Sequence, residues 1–280
     1  MKHNLKKILI IASASVVILA GVSCSFESNW DRAKEAWYAE DYVMAFKLFH
    51  EEAKKGNVIA EYHLGEMYYK GKGTSIDKKE AVKWYRKAAE GGYGYAQNDL
   101  GVLYYKGEGI AANKTEAVKW LRRAAEHSYE DMSNINRVAY ILGLMYSSGD
   151  GVAIDKKEAV KWYRKAAERN HTESQYSLGG MYFHGDGVAI DKKEAVEWYR
   201  KAAEQGNADA QYSLGAMYFH GDGLPKSLIY AYTWFAISLH NGKKVGDEIS
   251  LLARRLSERD IAYAIEVSHA CIESNYQNCN

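Results

Sequence analysis

The chain has 280 residues, of which 47% are hydrophobic and 26% are charged, and its formal net charge is +1. Its length is that of one or two globular domains. A chain so close to neutral is poorly suited to nucleic-acid binding, because that affinity comes largely from neutralising phosphates. We therefore expect no nucleic-acid partner.

Residues 1–23 have the features of a secretory signal peptide. Three lysines precede an uncharged, mostly apolar run from Ile8 to Val22, and small residues follow it. A retained membrane anchor is the alternative, although Ser13 and Ser15 make this run a poor span. Cleavage would leave 34 basic and 36 acidic residues, so the net charge would change from +1 to −2.

The segment Gly21-Val22-Ser23-Cys24 resembles a bacterial lipobox, whose cysteine becomes the lipidated N-terminus. Gly21 departs from that pattern, which usually has leucine at this position. An ordinary signal peptidase site nearby, with Cys24 unmodified, is the alternative. By the same resemblance, Ser25 directs a lipoprotein to the outer membrane. We expect an exported chain in the periplasm, held at the outer membrane by lipid on Cys24.

A 14-residue phrase, D-K-K-E-A-V-K-W-Y-R-K-A-A-E at 77–90, returns almost unchanged at 155–168 and 191–204. Weaker copies lie at 113–126 and 227–240. Five tryptophans mark the register in steps of 36, 42, 36 and 36 residues: Trp84, Trp120, Trp162, Trp198 and Trp234. A fixed period in this range predicts a solenoid, in which each unit covers the apolar face of its neighbour.

Each repeat is predicted to form two helices joined by a glycine loop. In the first copy, Ala60–Lys70 is an amphipathic helix that ends at the glycines of 71–73. Asp77 is predicted to cap the second helix, and Glu80 to close a capping box with it. Trp84 is predicted to fill the space between successive layers.

Two further helix pairs are predicted at the ends of the array. Residues 33–60 fit a looser pair whose inner face carries Ala45, Leu48, Phe49 and Ala53. Residues 247–275 are predicted to cap the other end, with Ser257 and Asp260 as a second capping-box candidate. Such terminal units give a solenoid polar ends.

The motifs A-x-x-x-L-G-x-x-Y, G-x-G, D-x-x-x-A-x-x-W and A-A-E-x-G resemble those of the Sel-like repeat family, a tetratricopeptide-like group, over about residues 60–242. The resemblance implies an all-α fold, a right-handed α-solenoid of stacked helix-turn-helix repeats. The predicted parts are a helix pair over 24–59, five repeats over 60–95, 96–137, 138–173, 174–209 and 210–242, and capping helices over 243–280.

The resemblance also implies a non-catalytic module that binds a protein or peptide. The family is associated with scaffolding, with host–bacterium contact and with neutralising secreted toxic effectors. The most concrete hypothesis is an immunity protein that holds a secreted effector in its concave face. The alternatives are an envelope scaffold and a host-interaction factor. We expect a monomer, a protein partner and no cofactor.

Aromatic residues recur at the third and tenth positions of the first helices: Tyr62, Tyr69, Tyr105, Tyr140, Tyr176, Phe183, Tyr212 and Phe219. Steps of 100° per residue place these positions opposite the core stripe, so they are expected to be the most exposed. Either neighbouring first helices bury these rings, or the rings form a concave surface for a partner. Gly180 and Ala216 predict a groove between the last rings, from Tyr176 to Phe219.

Two patterns raise the question of chemistry. Ser75 and Lys78 match S-x-x-K, the nucleophile motif of penicillin-recognising enzymes, which makes a cell-wall or β-lactam hydrolase the rival hypothesis. The positions equivalent to Ser75 are alanine in three other copies, which favours drift in a loop. His184 and His220 repeat 36 residues apart, but lysine or serine fills the same position elsewhere. We therefore predict no metal site.

Two departures from the repeat remain. Six extra residues lie within 126–138, and these are either a protrusion that contacts the partner or a neutral insertion in a tolerant loop. Cys271 and Cys279 could close a nine-residue ring in an oxidising compartment, and the alternative is two unpaired thiols.

Overall fold

The computed structural model describes residues 28–126, 135–276 and 279. The predicted signal peptide at 1–23, the predicted lipidation site Cys24 and the insertion at 127–133 lie outside the described residues. Every element in the described part is a helix, which confirms the all-α solenoid.

The described residues form fourteen helices: α1 Asn29–Tyr38, α2 Tyr42–Lys54, α3 Val58–Lys70, α4 Lys78–Glu90, α5 Gly94–Lys106, α6 Lys114–Glu126, α7 Ile135–Ser148, α8 Lys156–Ala167, α9 Thr172–His184, α10 Lys192–Ala203, α11 Ala208–His220, α12 Leu228–His240, α13 Glu248–Ala253 and α14 Glu258–Glu273. From α3 to α12, the odd-numbered member of each pair is the first helix of a repeat. The even-numbered member is the second helix of the same repeat.

The first helix of the first repeat begins two residues earlier than predicted, at Val58. Asn57 causes this shift, because its side-chain oxygen accepts hydrogen bonds from the amides of Ile59 and Ala60 at 3.1 and 3.2 Å. The helix ends where predicted, because Gly71 adopts a left-handed φ of 71°.

The predicted cap of the second helix is confirmed, but the capping box is wrong. Asp77 Oδ1 accepts hydrogen bonds from the amides of Lys79 and Glu80, both at 3.0 Å. The amide of Asp77 donates to the carbonyl of Tyr68 at 2.9 Å, and so is not available to Glu80. Glu80 pairs instead with Lys83 at 2.6 Å. The cap amide thus ties each second helix to the end of the first helix, as also occurs at 113, 155, 191 and 227.

The hydrophobic core is divided into layers that join neighbouring repeats. One layer contains Tyr85 of α4, Leu100 of α5 and Trp120 of α6. The layer before it contains Phe49 of α2 and Trp84 of α4. Each of these tryptophans therefore packs on the preceding unit, which confirms that Trp84 fills the space between layers.

The N-terminal pair is built as the sequence predicts. Asp41 replaces a long loop and caps α2, because its carboxylate accepts a hydrogen bond from the amide of Met44 at 3.1 Å. The predicted inner face is buried, which confirms its four residues: Ala45, Leu48, Phe49 and Ala53.

At the other end, α13 and α14 cover α12. Ser257 caps α14, because its hydroxyl oxygen accepts from the amide of Asp260 at 3.2 Å. A disulfide joins Cys271 to Cys279, and their Cα atoms are 4.6 Å apart. Among the described residues, no helix combines the length and the apolar composition that crossing a membrane requires.

Candidate interaction surface

The third-position tyrosines are half-buried, so the expectation that they are among the most exposed residues is wrong. Each ring packs on the second helix of its own repeat, with centroid separations of 5.6 Å for Tyr62–Tyr85, 5.9 Å for Tyr140–Tyr163, 5.7 Å for Tyr176–Tyr199 and 5.1 Å for Tyr212–Phe235. Burial raises the pKa of the Tyr199 hydroxyl to about 12. These rings therefore belong partly to the protein surface and partly to the hydrophobic core.

A helix glycine allows this packing. A Cβ built at Gly179 would lie 2.8 Å from Cδ1 of Tyr199, and the corresponding glycine of every repeat faces the same position of its second helix. The glycine of the L-G motif thus makes room for the ring that supports the third-position aromatic.

Each tenth-position ring lies beneath a lysine of the second helix or of the loop before it. The ammonium lies 5.1 Å from the ring centroid for Lys78–Tyr69, 5.3 Å for Lys114–Tyr105, 5.4 Å for Lys192–Phe183 and 5.8 Å for Lys226–Phe219. These distances are within the range of cation–π contacts. The tenth-position side chains are half-buried, except that Tyr105 is 42% exposed.

Three of these lysines also reach the next repeat, where they meet the acid in the middle of the G-x-G loop, and Lys156, which donates a hydrogen bond to the tenth-position Ser147, does the same. We call this series the lysine–acid ladder, and its N–O distances are 2.6 Å for Lys78–Glu108, 2.7 Å for Lys114–Asp150, 3.7 Å for Lys156–Asp186 and 2.5 Å for Lys192–Asp222. The hydrogen bond from Lys78 lowers the pKa of Glu108. All four pairs are near the surface, so they set register between repeats more than they add stability.

Within the described residues, we define three grooves that lie between first helices of successive repeats. The first groove, between α3 and α5, has a volume of about 230 Å³ and is lined by Tyr62, Tyr69, Glu66 and Asp99. The second groove, between α5 and α7, measures about 400 Å³ and is lined by Val102, Tyr105, Ile141 and Leu144. The third groove, between α9 and α11, measures about 210 Å³ and is lined by Tyr176, Phe183, Tyr212 and Ala216.

Six of the eight aromatic residues predicted from the sequence line these grooves. The other two are Tyr140 and Phe219. Tyr140 packs on His171, with ring centroids 5.0 Å apart. Phe219 joins a cluster with Leu256 near the C-terminal helices. The third groove thus contains most of the predicted contact region, while its Phe219 end is covered by the cap.

Sequence reasoning missed the acidic character of the first groove. Asp99 is partly buried, and its carboxylate accepts hydrogen bonds from the Tyr62 hydroxyl at 3.2 Å and the Asn98 amide at 3.1 Å. Burial, with a smaller contribution from the nearby carboxylate of Glu66, raises the pKa of Asp99 to about 6. The sequence feature that could have revealed this acid is the fourth position of the first helix. Asp99 occupies that position, whereas the next three repeats have Ile141, Ser177 and Ser213 there.

The residues that suggested chemistry lie apart from the grooves or have other partners. Ser75 is exposed in its loop, and Lys78 is hydrogen-bonded to Glu108, which raises the pKa of the Lys78 ammonium. A protonated lysine in an ion pair is poorly suited to act as the base of a serine nucleophile. His184 and His220 each pack edgewise on the preceding phenylalanine, and no metal-binding group of side chains occurs among the described residues.

Comparison with known proteins gives the family. Five segments match the Sel1 repeat, at residues 58–93, 94–129, 137–171, 172–207 and 208–242. These matches begin one or two residues before the predicted repeats. No protein of curated function shows a significant match.

Two solved structures are similar over most of this chain. One is a Sel1 repeat protein from Oxalobacter formigenes, with 31% identity, a TM-score of 0.67, and coverage of 85% of this chain and 97% of its own. The other is c5321, a protective antigen of uropathogenic Escherichia coli, with 28% identity, a TM-score of 0.58, and coverage of 89% of this chain and 62% of its own. Sel1 repeats indicate a protein-interaction module. This chain belongs to the Sel1 repeat family.

Proposed function

We propose that the chain is an exported protein of the bacterial envelope that binds a protein partner through the third groove without catalysing a reaction. The observation that carries this proposal is the set of rings Tyr176, Phe183 and Tyr212, which line a groove that repeat stacking leaves open. Aromatic side chains with one accessible face are typical of interface hot spots.

The arrangement suits recognition of a peptide or protein surface. The rings are held by their own repeats, Tyr176 on Tyr199 and Phe183 beneath Lys192, so little side-chain entropy is lost on binding. Ala216 keeps the groove open between them. A partner side chain that enters would meet both apolar rings and polar edges.

Substitution in the third groove tests this proposal. Tyr176→Ala and Phe183→Ala should each weaken binding to a partner purified from envelope extracts by roughly 30-fold, because an aromatic anchor typically contributes about 2 kcal/mol. Tyr176→Phe should bind nearly as well as the original chain, because it keeps the packing on Tyr199. Tyr263→Ala is the matched control, since Tyr263 is 50% exposed on α14, away from the grooves.

Weaker binding by a variant must be shown to come from lost contacts with the partner and not from unfolding of the variant. Tyr176 and Phe183 are half-buried, so each alanine variant should lose about 1–3 kcal/mol of unfolding free energy and still fold, which a urea denaturation curve checks. If Tyr176→Ala and Phe183→Ala fold normally and bind the partner as tightly as Tyr263→Ala does, the third groove is not the binding site.

We further propose that the partner is a secreted effector that the chain neutralises. Support for this finer role comes from the resemblance stated for the family and from the signal-like segment 1–23. Co-expression with candidate effectors tests it: the chain should restore growth, and Tyr176→Ala should restore less. Binding of an envelope-assembly protein instead would favour the scaffold alternative.

The proposed location is the periplasmic face of the outer membrane, with lipid on Cys24. The lipobox-like segment 21–24 and Ser25 support it. Cys24→Ser should move the chain from the membrane fraction to the soluble fraction, and mass spectrometry of the original chain should show an acylated N-terminus at Cys24. An unmodified N-terminus at another residue would contradict lipidation while leaving export intact.

A further inference from the structure

The second groove differs from the other two in being larger and more apolar. Val102, Ile141 and Met145 contribute to its lining, and Tyr105 and Leu144 are 42% and 43% exposed. No other large hydrophobic side chain on the described first helices of the repeats is as exposed. At about 400 Å³, the groove is within the size range of small-ligand sites.

The apolar lining is a departure from the repeat rather than a need of the core. Val102 and Leu144 occupy the seventh position of the first helix, where the other repeats carry Glu66, Gly180 and Ala216. Leu144 is not required to fill a layer, because Leu142 and Met145 already do so. The side chain therefore adds apolar surface that stays accessible to a partner.

The charges at the rim of this groove are mainly positive. Arg137 lines the groove, is exposed, and forms no ion pair with any residue in the described ranges. Lys106 lies 4.0 Å from Glu108, whose carboxylate is held more closely by Lys78 at 2.6 Å.

Among the described residues, the one acid in the lining is Asp150, and it is already engaged. The carboxylate of Asp150 pairs with Lys114 at 2.7 Å and accepts a hydrogen bond from the Tyr105 hydroxyl at 3.1 Å. A negative group that enters the groove would therefore meet Arg137 and Lys106 with little opposition from Asp150.

We infer that the second groove binds an apolar side chain of the protein partner together with an adjacent carboxylate. The apolar group would pack between Tyr105 and Leu144, and the carboxylate would pair with Arg137. This inference rests on the proposed function, and adds that the partner presents an acidic segment with an aliphatic or aromatic anchor.

Three small probes of six carbons each test the inference: hexanoate, 1-hexanol and hexylammonium. Titration into the purified chain, followed by NMR shifts of the Leu144 and Ile141 methyl groups, should give the tightest binding for hexanoate and the weakest for hexylammonium. We expect about a 5-fold to 10-fold difference at low ionic strength, and less in salt, as for an exposed ion pair.

Two variants separate the apolar and charged parts of the site. Arg137→Gln should lower hexanoate affinity to that of 1-hexanol and leave 1-hexanol unchanged. Leu144→Ser should weaken both probes. Lys157→Gln is the control, because it removes one positive charge from an exposed position of α8 outside the groove lining, and it should bind all three probes as the original chain does.

Equal binding of hexanoate and hexylammonium would overturn the inference. So would a gain in hexanoate affinity in Glu130→Gln/Asp131→Asn, because the groove would then hold this chain's own acidic residues. Concentration-dependent self-association that Leu144→Ser abolishes would assign the groove to a second copy, and so would also overturn it.

These outcomes are distinct from failure of the proposed function. The probe titrations need no partner, whereas the proposed function is tested by Tyr176→Ala and Phe183→Ala. Loss of partner binding in those variants together with charge-independent probe binding would refute only the second-groove inference. The reverse pattern would refute only the third-groove proposal.

Discussion

Gly65 lies directly against the ring of Tyr85, so that a Cβ at Gly65 would come within 2.7 Å of Tyr85 Cδ1. Tyr85 in turn supports the ring of Tyr62, at a centroid distance of 5.6 Å. A buried glycine and a half-buried aromatic are therefore linked through one ring of the second helix. The same relationship joins Gly179, Tyr199 and Tyr176 in the fourth repeat.

Adjacent glycines in α9 allow a test of this packing. Gly179→Ala should lower the free energy of unfolding by about 1–3 kcal/mol, because the new methyl group must displace the Tyr199 ring. Gly180→Ala should be neutral or should stabilise by up to about 1 kcal/mol, since its Cβ would meet only the Tyr199 hydroxyl at an ordinary 3.5 Å. Urea denaturation of both variants gives the comparison. Equal midpoints would show that the ring contact is not constraining.

The G-x-G loop makes a second close approach, this time between repeats. A Cβ at Gly187 would lie 2.3 Å from the carbonyl carbon of Lys156, at the start of the preceding second helix. Gly187→Ala should therefore destabilise by about 1–3 kcal/mol more than Gly92→Ala. Gly92 also has a positive φ, of 89°, but nothing lies within 4 Å of its Cβ position.

The two variants share the cost of a left-handed backbone, so their difference in thermal unfolding isolates the contact between repeats. A Gly92→Ala variant as unstable as Gly187→Ala would mean that backbone strain alone accounts for both glycines.

Asp99 should make stability depend on pH in the acidic range. The pKa of its carboxyl is 3.8 in the unfolded reference and about 6 in the folded chain, so the folded state binds more protons between these values. The contribution of Asp99 to stability therefore falls as pH rises from about 4 to 6, and then levels. The penalty at pH 7 is on the order of 3 kcal/mol, since one pKa unit corresponds to about 1.4 kcal/mol.

Asp99→Asn removes the charge and keeps an oxygen that can accept from Tyr62. This variant should be more stable than the original chain at pH 7 and about equally stable near pH 3.5. Urea midpoints measured every half pH unit give both curves. Parallel curves would show that Asp99 is not the group responsible.

The disulfide should stabilise the C-terminal cap. The Cys271–Cys279 bond closes a short ring and so lowers the conformational entropy of the unfolded chain. In the loop-entropy account, this adds about 2.5 kcal/mol to the free energy of unfolding. Reduction should expose the cap first, because Tyr276, whose hydroxyl donates to Asn241 at 2.8 Å, lies inside the ring. Hydrogen exchange with and without dithiothreitol measures the effect, and the double variant Cys271→Ala/Cys279→Ala should not respond to reductant.

The spacing of the tryptophans predicted most of the fold. Because a tryptophan fills each layer of the core, the helix pairs can stack in only one way. The capping box failed for a reason that a single helix cannot reveal. The loop brings the carbonyl of Tyr68 to the amide of Asp77, and this carbonyl accepts the hydrogen bond that the capping box assigns to Glu80. Tertiary structure therefore decided a hydrogen bond that the local motif assigns to a side chain.

The surface was predicted less well than the core. A helical wheel treats each first helix as having one buried side, but α3 packs on both α2 and α4 and its Tyr62 also reaches the neighbouring first helix, α5. Tyr62 lies between two of these neighbours, packing on Tyr85 of α4 and donating a hydrogen bond to Asp99 of α5. The second groove was not predicted from the sequence, because its lining comes from two repeats and from two positions within the repeat. The seventh-position residues Val102 and Leu144 form it together with Ile141 of the fourth position.

The tryptophans also define where the array can be divided. A layer contains Tyr85 of one repeat, with Leu100 and Trp120 of the next, so a cut at the boundary between sequence repeats passes through the middle of a core. A fragment that ends after α4 would leave the apolar side of Tyr85 uncovered, and one that starts at α5 would expose Trp120. Shortened or grafted arrays should therefore carry a substitute capping helix pair at every new end. Without such a cap, a fragment contains fewer intact core layers than the number of repeats counted in its sequence.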